Sequence, residues 1–381
     1  MSTREQVNKI SSVTLENIYK NSAYKALISQ FKNRGISLCN QELEDIAWLL
    51  LISHTLGINR SCVQASGGNT SLKIQGFILI KASGKKLKDC LEDNIFILIK
   101  KEDFNEEELT ITSPKDIFGT NLRPSIETAF HCLDKQKFVI HTHPIEIIRA
   151  TLAENMLEAS IRRIKEYKPK TIEYKRPGYE LAKAIKDERS EERNSCYILK
   201  NHGLVYGCQK GSQALSIHNN IVDAFKTKEA KENCTFNDKE LNELIPKLKS
   251  VGINATLPKS PLVHQIAMNE SINRRMKTVS IVPDAVVFLG NKNVFLDQLP
   301  KSLDKMTQTT KSAKFISIKE AGVIIISDNE SRRDLIEEFL EMHIQILLPL
   351  ASDSKITGLN KKEVNDLLDW EAEKYRVAML K

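Results

Sequence analysis

Phe138, Val139 and Ile140 form a short β-prone run that delivers His141-Thr142-His143 and is closed by Pro144. Pro cannot donate to a ladder, so the run reads as a strand that stops there with two imidazoles at its end. Strand side chains repeat every two residues, which puts His141 and His143 on one face. Two neutral imidazoles so placed suit a borderline divalent ion such as Zn²⁺, but a catalytic site needs a third protein ligand and an open position. Spacing alone leaves an ordinary strand end as the alternative.

The segment before it, Arg123 to Leu133, predicts a short helix that starts at Pro124-Ser125 with Ser125 as its cap. Glu127 and His131 fall four residues apart on one face of that helix. A candidate third ligand comes later, where the strand 196–200 delivers Asn201-His202-Gly203-Leu204 and Gly203 permits close backbone approach. Two turns of small residues precede the histidines. The stretch 65–72, Ala-Ser-Gly-Gly-Asn-Thr-Ser-Leu, leads into a strand ending near Ile74. A second strand, 77–81, runs into Ala82-Ser83-Gly84-Lys85-Lys86. Paired, the two turns resemble an anion cradle; singly, each reads more readily as a surface loop with solvated lysines.

Helical periodicity covers 13–33 and 41–57, with further helices after Pro144 to about 153 and from about 211 to 232. The basic stretch 157–170 reads as a solvated face. A shift to charged composition at 226–241 predicts a boundary, with domains at 1–234 and 235–381. Strands are expected at 279–289, 293–296 and 314–327, and helices at 331–350 and 361–379. His264 and His343 read as structural or exposed, and the C-terminal part offers no chemical constellation.

With 381 residues and 41% hydrophobic content the chain can bury a sizeable core. A formal charge of +7, spread along the chain with few interleaved aromatics, suits an anionic small substrate and falls short of a nucleic-acid signature. Seven cysteines without a Cys-x-x-Cys pair argue against a disulfide framework or zinc ribbon and for a reducing cytoplasm. No apolar run approaches a membrane span, and the polar N-terminus reads as that of a soluble, unprocessed protein.

In order and spacing, Gly67-Gly68-Asn69-Thr70-Ser71, Ala82-Ser83-Gly84, Pro124-Ser125-Ile126-Glu127-Thr128, His141-Thr142-His143-Pro144, Pro177-Gly178 and Asn201-His202-Gly203 resemble class II aldolase/adducin proteins. A closer likeness is to the aldolase part of bifunctional rhamnulose-phosphate aldolase/alcohol dehydrogenase proteins. It runs through Ser125 to Thr128, the stretch 283–290 and the stretch 370–375. No strand–Gly-x-Gly-x-x-Gly–helix unit accompanies it, so the likeness implies no nicotinamide chemistry.

The resemblance implies a three-layer α/β/α domain around a largely antiparallel sheet over about residues 10–234, with a smaller C-terminal α/β domain. It implies a homotetramer and a sugar-phosphate substrate. Carried over by position, His141, His143 and His202 are the zinc ligands and Glu127 the acid/base. Gly68, Asn69, Ser71, Ser83, Gly84 and Ser125 are the substrate and phosphate contacts. Two positions depart from the pattern: Lys85 replaces a small hydroxyl residue, and Ile126 replaces the second serine of small fuculose-phosphate aldolases. The reaction implied is zinc-dependent cleavage of a ketose 1-phosphate to dihydroxyacetone phosphate and an aldehyde. A sugar-phosphate dehydratase, an epimerase or a non-catalytic adducin-like module are the alternatives within the family.

Overall fold

The computed structural model describes residues 13–112, 115–189, 195–227, 236, 238–300, 302 and 306–371. The boundary expected at 234/235, the end of the helix expected to 232 and the residues 372–375 of the C-terminal motif lie outside them. Chain packing divides the molecule into Met1–Lys226 and Thr227–Lys381.

The first unit is built on a seven-stranded sheet. Its strands are β1 (Asn69–Ile74), β2 (Phe77–Lys81), β3 (Phe96–Lys100), β6 (Phe138–Thr142), β7 (Lys170–Ile172), β8 (Cys196–Leu199) and β9 (Gly203–Cys208), in spatial order β3-β2-β1-β6-β9-β8-β7. A separate two-stranded piece pairs β4 (Phe104–Asn105) with β5 (Thr110–Ile111). Every pair in the large sheet is antiparallel except β7 with β8.

Alternation along the strands sends side chains into two separate cores. Leu72, Leu79, Phe96, Phe138, Ile140, Ile198, Leu204 and Tyr206 pack against α1 (Leu15–Lys20), α2 (Ser22–Asn33), α3 (Asn40–Ile58) and α8 (Gly211–Asp223). Val139, Ile172, Tyr197, Leu199 and Val205 pack against α4 (Thr128–Leu133) and α7 (Tyr179–Glu188). A third cluster, with Ile78, Ile80, Ile97, Ile99 and Cys132, covers the same side of β2 and β3. Helices on both faces make this a three-layer α/β/α unit with a largely antiparallel sheet. The connection from β6 to β7 runs through α5 (Ile145–Thr151) and α6 (Glu154–Arg163), whose Ile147, Ala150 and Leu157 join the first of these cores.

Three expectations for this unit need adjustment. The helix at 13–33 is two helices, because Asn21 ends one in extended backbone and caps the next by accepting from the Ala23 and Tyr24 N–H groups. Strand β1 starts at Asn69, within the stretch read as a turn, since Asn69 and Thr70 pair with His141 and Ile140 of β6. The helix expected from Ser125 starts at Thr128. The Thr128 N–H bonds the Ser125 carbonyl in a tight turn, and Glu127 occupies the cap position.

The second unit pairs β10 (Ala255–Thr256), β11 (Val294–Leu296), β12 (Phe315–Ile318) and β13 (Gly322–Ile326) in the order β10-β13-β12-β11. Its helices are α9 (Asp238–Ser250), α10 (Gln265–Met268), α11 (Glu270–Thr278), α12 (Pro283–Leu289), α13 (Met306–Thr309), α14 (Glu330–Leu347) and α15 (Lys361–Asp369). The apolar run expected as a strand at 279–289 is largely helix α12. Pro283 opens it at the first turn and nearly every face is buried, so its apolar pattern carries no periodicity. The single strand expected at 314–327 is a hairpin that turns at Lys319–Ala321, with Glu320 at φ 63°. His264 and His343 are buried: His264 accepts the Val323 N–H at 3.0 Å and stacks on Phe236, and His343 Nδ1 lies 2.8 Å from the Phe339 carbonyl. No helix among the described residues is long and apolar enough to cross a membrane.

Burial pushes His218 of α8 and His264 of the second unit down to about 4. Both are neutral in the fold, whereas an unfolded histidine binds a proton below about pH 6.5. Between those values the unfolded chain binds more protons, so stability present above pH 6.5 is lost as pH falls towards 4. The slope is about 1.4 kcal/mol per pH unit for each histidine. Urea midpoints should fall from pH 7.5 to pH 5, and His218→Gln should flatten the curve for the first unit. Equal midpoints across that window in the wild-type chain would contradict the account.

Candidate metal centre

Strand β6 ends where its ladder with β9 ends, at Thr142 opposite Leu204. Beyond it the chain stays anchored, because the His143 N–H donates to the Cys62 carbonyl at 2.7 Å and the Ile145 N–H to the Ser61 carbonyl at 2.9 Å. His141 therefore emerges from the sheet, and His143 just past it, on the side covered by α4 and α7. His202 arrives from the tip of the hairpin between β8 and β9. Asn201 takes left-handed backbone there, φ 56°, which its short polar side chain tolerates. Gly203 closes the hairpin so tightly that a Cβ on it would sit 2.2 Å from the Thr142 carbonyl oxygen and 3.1 Å from His143 Cα. Any larger residue would push the His202 hairpin away from the end of β6.

The three rings converge, with ligand atoms of His141, His143 and His202 all within 4.8 Å of one another. Ring centroids are 4.7 to 5.0 Å apart, and all three side chains are buried. The His141 Nδ1–H group donates to the Leu204 carbonyl at 2.9 Å, which leaves its Nε2 lone pair aimed into the cluster. There it lies 3.0 Å from His143 Nε2, close enough for the two nitrogens to share a proton. Ligand nitrogens around one tetrahedral Zn²⁺ lie roughly 3.3 Å apart, so an ion taking the place of that proton needs only a small expansion. A buried set of three imidazoles is a donor set that fits such an ion.

Glu127, 6% exposed, faces the same space from the start of α4. Its Oε2 is 3.4 Å from His141 Nε2 and its Oε1 3.5 Å from His202 Nε2. Oε2 accepts from Asn69 Nδ2 at 2.8 Å, whereas Oε1 accepts no hydrogen bond among the described residues. The two carboxylate oxygens thus have unequal surroundings.

The residues expected to cradle an anion divide into two sets. Asn69, Ser71 and Ser125 turn their side chains inward. Asn69 Nδ2 donates to Ser125 Oγ at 3.2 Å as well as to Glu127, Ser125 Oγ also accepts the Glu127 N–H, and Ser71 Oγ lies 2.7 Å from His131 Nδ1. Gly68, Ser83 and Gly84 stay in the loops. Gly68 runs against β6, where a Cβ would meet the His141 carbonyl at 2.8 Å, and Gly84 takes φ 78°. The Ser83 N–H donates to the Arg123 carbonyl at 2.9 Å, tying the second loop to the segment that leads to Ser125.

Two residues here were missed in the sequence. Lys81 is buried, and its ammonium donates to the carbonyls of Ser66 at 2.8 Å and Lys85 at 2.7 Å, joining the two loops. The sequence shows of His131 only its spacing from Glu127 and not its partner, Asn69 Oδ1, to which it is hydrogen-bonded.

The family model of the class II aldolase and adducin N-terminal domain matches residues 49–227. These residues belong to that family. The three-layer unit has the class II aldolase fold, followed by an additional C-terminal region. A Bacillus subtilis (strain 168) protein described as an uncharacterized oxidoreductase, YuxG, is 31% identical over 176 residues, covering 41% of this chain. This chain spans 25% of that relative's length. Among solved structures, the N-terminal class II aldolase domain of a conserved Thermoplasma acidophilum protein is 24% identical with a TM-score of 0.40, covering 48% of this chain and 92% of that one. The l-fuculose-1-phosphate aldolase of Thermus thermophilus is 16% identical with a TM-score of 0.35, covering 54% and 95%.

If the class II aldolase domain holds an ion at these histidines, stripped protein titrated with Zn²⁺ should take up about one per chain. His143→Ala and His202→Ala should each abolish tight uptake and leave circular dichroism near wild type, because the core around the sheet is large enough to stand without metal. Full occupancy in His143→Ala would rule the site out.

Proposed function

We propose that the chain is a zinc-dependent aldolase that cleaves a ketose 1-phosphate, of the rhamnulose- or fuculose-phosphate kind, to dihydroxyacetone phosphate and an aldehyde. One observation carries this reading: three buried imidazoles converge within 4.8 Å and a buried carboxylate lies 3.4 and 3.5 Å from two of them. Membership of the class II aldolase and adducin family supports it. A non-catalytic module has no need to keep all four groups. Assembly as a homotetramer in the cytoplasm belongs to the same reading.

His141, His143 and His202 would hold the zinc ion, whose positive charge would stabilise negative charge developing on the substrate. The chain's own residues hold the substrate and move the proton. In cleavage the bond between C3 and C4 of the ketose breaks and its electron pair stays on C3. The C4 hydroxyl loses its proton to solvent as the aldehyde carbonyl forms. C3 then takes a proton from Glu127, which is recharged from water. With Oε2 held by Asn69, Oε1 is the oxygen left to carry that proton. The phosphate contacts fall to the Ser83 hydroxyl and to the loops at Gly68 and Gly84, while Asn69, Ser71 and Ser125 serve the carboxylate.

Glu127→Gln keeps the volume and removes the ionisable group. It should retain zinc and bind substrate, yet turn over ~10²–10⁴-fold more slowly, the usual worth of a positioned proton-transfer group. Deuterium exchange from solvent into C3 of dihydroxyacetone phosphate, without aldehyde, should occur in wild type and vanish in the variant. Wild-type cleavage without that exchange would defeat the aldol mechanism, and loss of water from the substrate with no triose phosphate released would make the enzyme a dehydratase.

A further inference from the structure

Behind Glu127 lies a chain of buried hydrogen bonds that neither the metal site nor the phosphate loops require. Ser71 Oγ is 2.7 Å from His131 Nδ1, His131 Nε2 bonds Asn69 Oδ1, and Asn69 Nδ2 bonds Glu127 Oε2 at 2.8 Å. His131 and Ser71 are fully buried and Asn69 is 2% exposed, so water does not compete for these groups.

The donors and acceptors in this chain have one consistent assignment. Glu127 Oε2 and Ser125 Oγ both receive from the Asn69 amide nitrogen, so the amide oxygen must point the other way, at His131. An amide oxygen only accepts, so His131 Nε2 must carry a proton. Burial opposes a charged ring, so His131 Nδ1 is the unprotonated nitrogen and Ser71 donates to it. Each bond in the line thus sets the direction of the next.

We infer that His131 is a positioning residue for the proton-transfer carboxylate: its Nε2–H group, oriented by Ser71, locks the Asn69 amide so that its N–H faces Glu127. Were the amide to turn over, its oxygen would face Oε2, two acceptors in contact in a site closed to water. The carboxylate would then swing away, and Oε1 would no longer be the oxygen presented. The sequence spacing makes sense on this basis. Glu127 and His131 are neighbours along α4, and Asn69 of β1 reaches both, which it can do because Asn69 pairs directly with His141 at the end of the sheet. This inference rests on the proton-transfer role proposed above for Glu127.

The test compares His131→Phe, which removes both ring nitrogens, with His131→Gln, whose side-chain amide can donate from near the Nε2 position. In zinc-loaded protein His131→Phe should lower kcat by about ten- to a hundredfold, less than the loss of Glu127 itself, with KM and metal content near wild type. His131→Gln should recover most of that loss. In a Glu127→Gln background His131→Phe should cost nothing further, because it acts through the carboxylate.

A merely structural histidine would instead add its loss in both backgrounds or lower metal content, and either result overturns the inference. So does wild-type kcat in His131→Phe. If that variant fails to fold, Ser71→Ala, a smaller change, carries the same comparison.

Nitrogen-15 spectra of histidine-labelled wild-type protein give a readout independent of turnover. His131 should be a single neutral Nε2–H tautomer, with that preference weakened in Ser71→Ala. A Nδ1–H tautomer overturns the inference whatever the enzyme does. The expected tautomer in a protein that cleaves no ketose phosphate supports the hydrogen-bond line and sinks only the aldolase reading.

Discussion

Four polar side chains, three imidazoles and a carboxylate, share a space nearly closed to water, and that is stable only if each is held by a partner that does not neutralise its chemistry. For two of them the protein meets the condition from behind. His141 is held through its outward nitrogen by a backbone carbonyl of the neighbouring strand, and Glu127 through one oxygen by Asn69. The inward atoms, His141 Nε2 and Glu127 Oε1, face the other groups of the cluster. Partners that took those atoms would satisfy burial equally well and leave nothing able to bind an ion or carry a proton.

The sheet supplies the precision. Antiparallel pairing sets Asn69 opposite His141 and Thr142 opposite Leu204, so the two strands flanking β6 bring in one residue that holds Glu127 and one hairpin that carries His202. The other face of the same strands is also polar at its end. Thr70 bonds Ser53 of α3 at 2.7 Å, and Thr142 meets His218 of α8 at 3.0 Å. These bonds hold the strand ends to the helical layer opposite the site. A site built on strand ends clamped from both faces has little freedom to drift.

Much of this was legible in the chain. The strand of Phe138 to Ile140, the shared face of His141 and His143, and the need for glycine after His202 follow from period-two alternation, a terminating proline and a close-approach residue. Less legible was the division of labour among small polar residues. Asn69, Ser71 and Ser125 stand in a stretch whose composition suits an anion loop. Only the ladder to β6 shows that Asn69 and Ser71 lie on a strand with their side chains turned towards α4. The apolar run at 283–289 likewise had no period to read, and burial on nearly every face made it a helix.

The sharpest case is a repeated pentapeptide. Residues 77–81 and 96–100 are both Phe-Ile-Leu-Ile-Lys, and both form strands that pair with each other. Yet Lys81 is buried and holds two loops together through their carbonyls, whereas Lys100 is exposed beside Glu102. Local sequence determined that each would be a strand, which residues could bind metal and where the chain must turn, because those depend on side-chain chemistry and short-range backbone preference. Which lysine is buried, which asparagine nitrogen faces the carboxylate and which histidine stands behind it were decided by the packing of distant segments. Burial and hydrogen-bond partners belong to the assembled surroundings and not to the residues themselves.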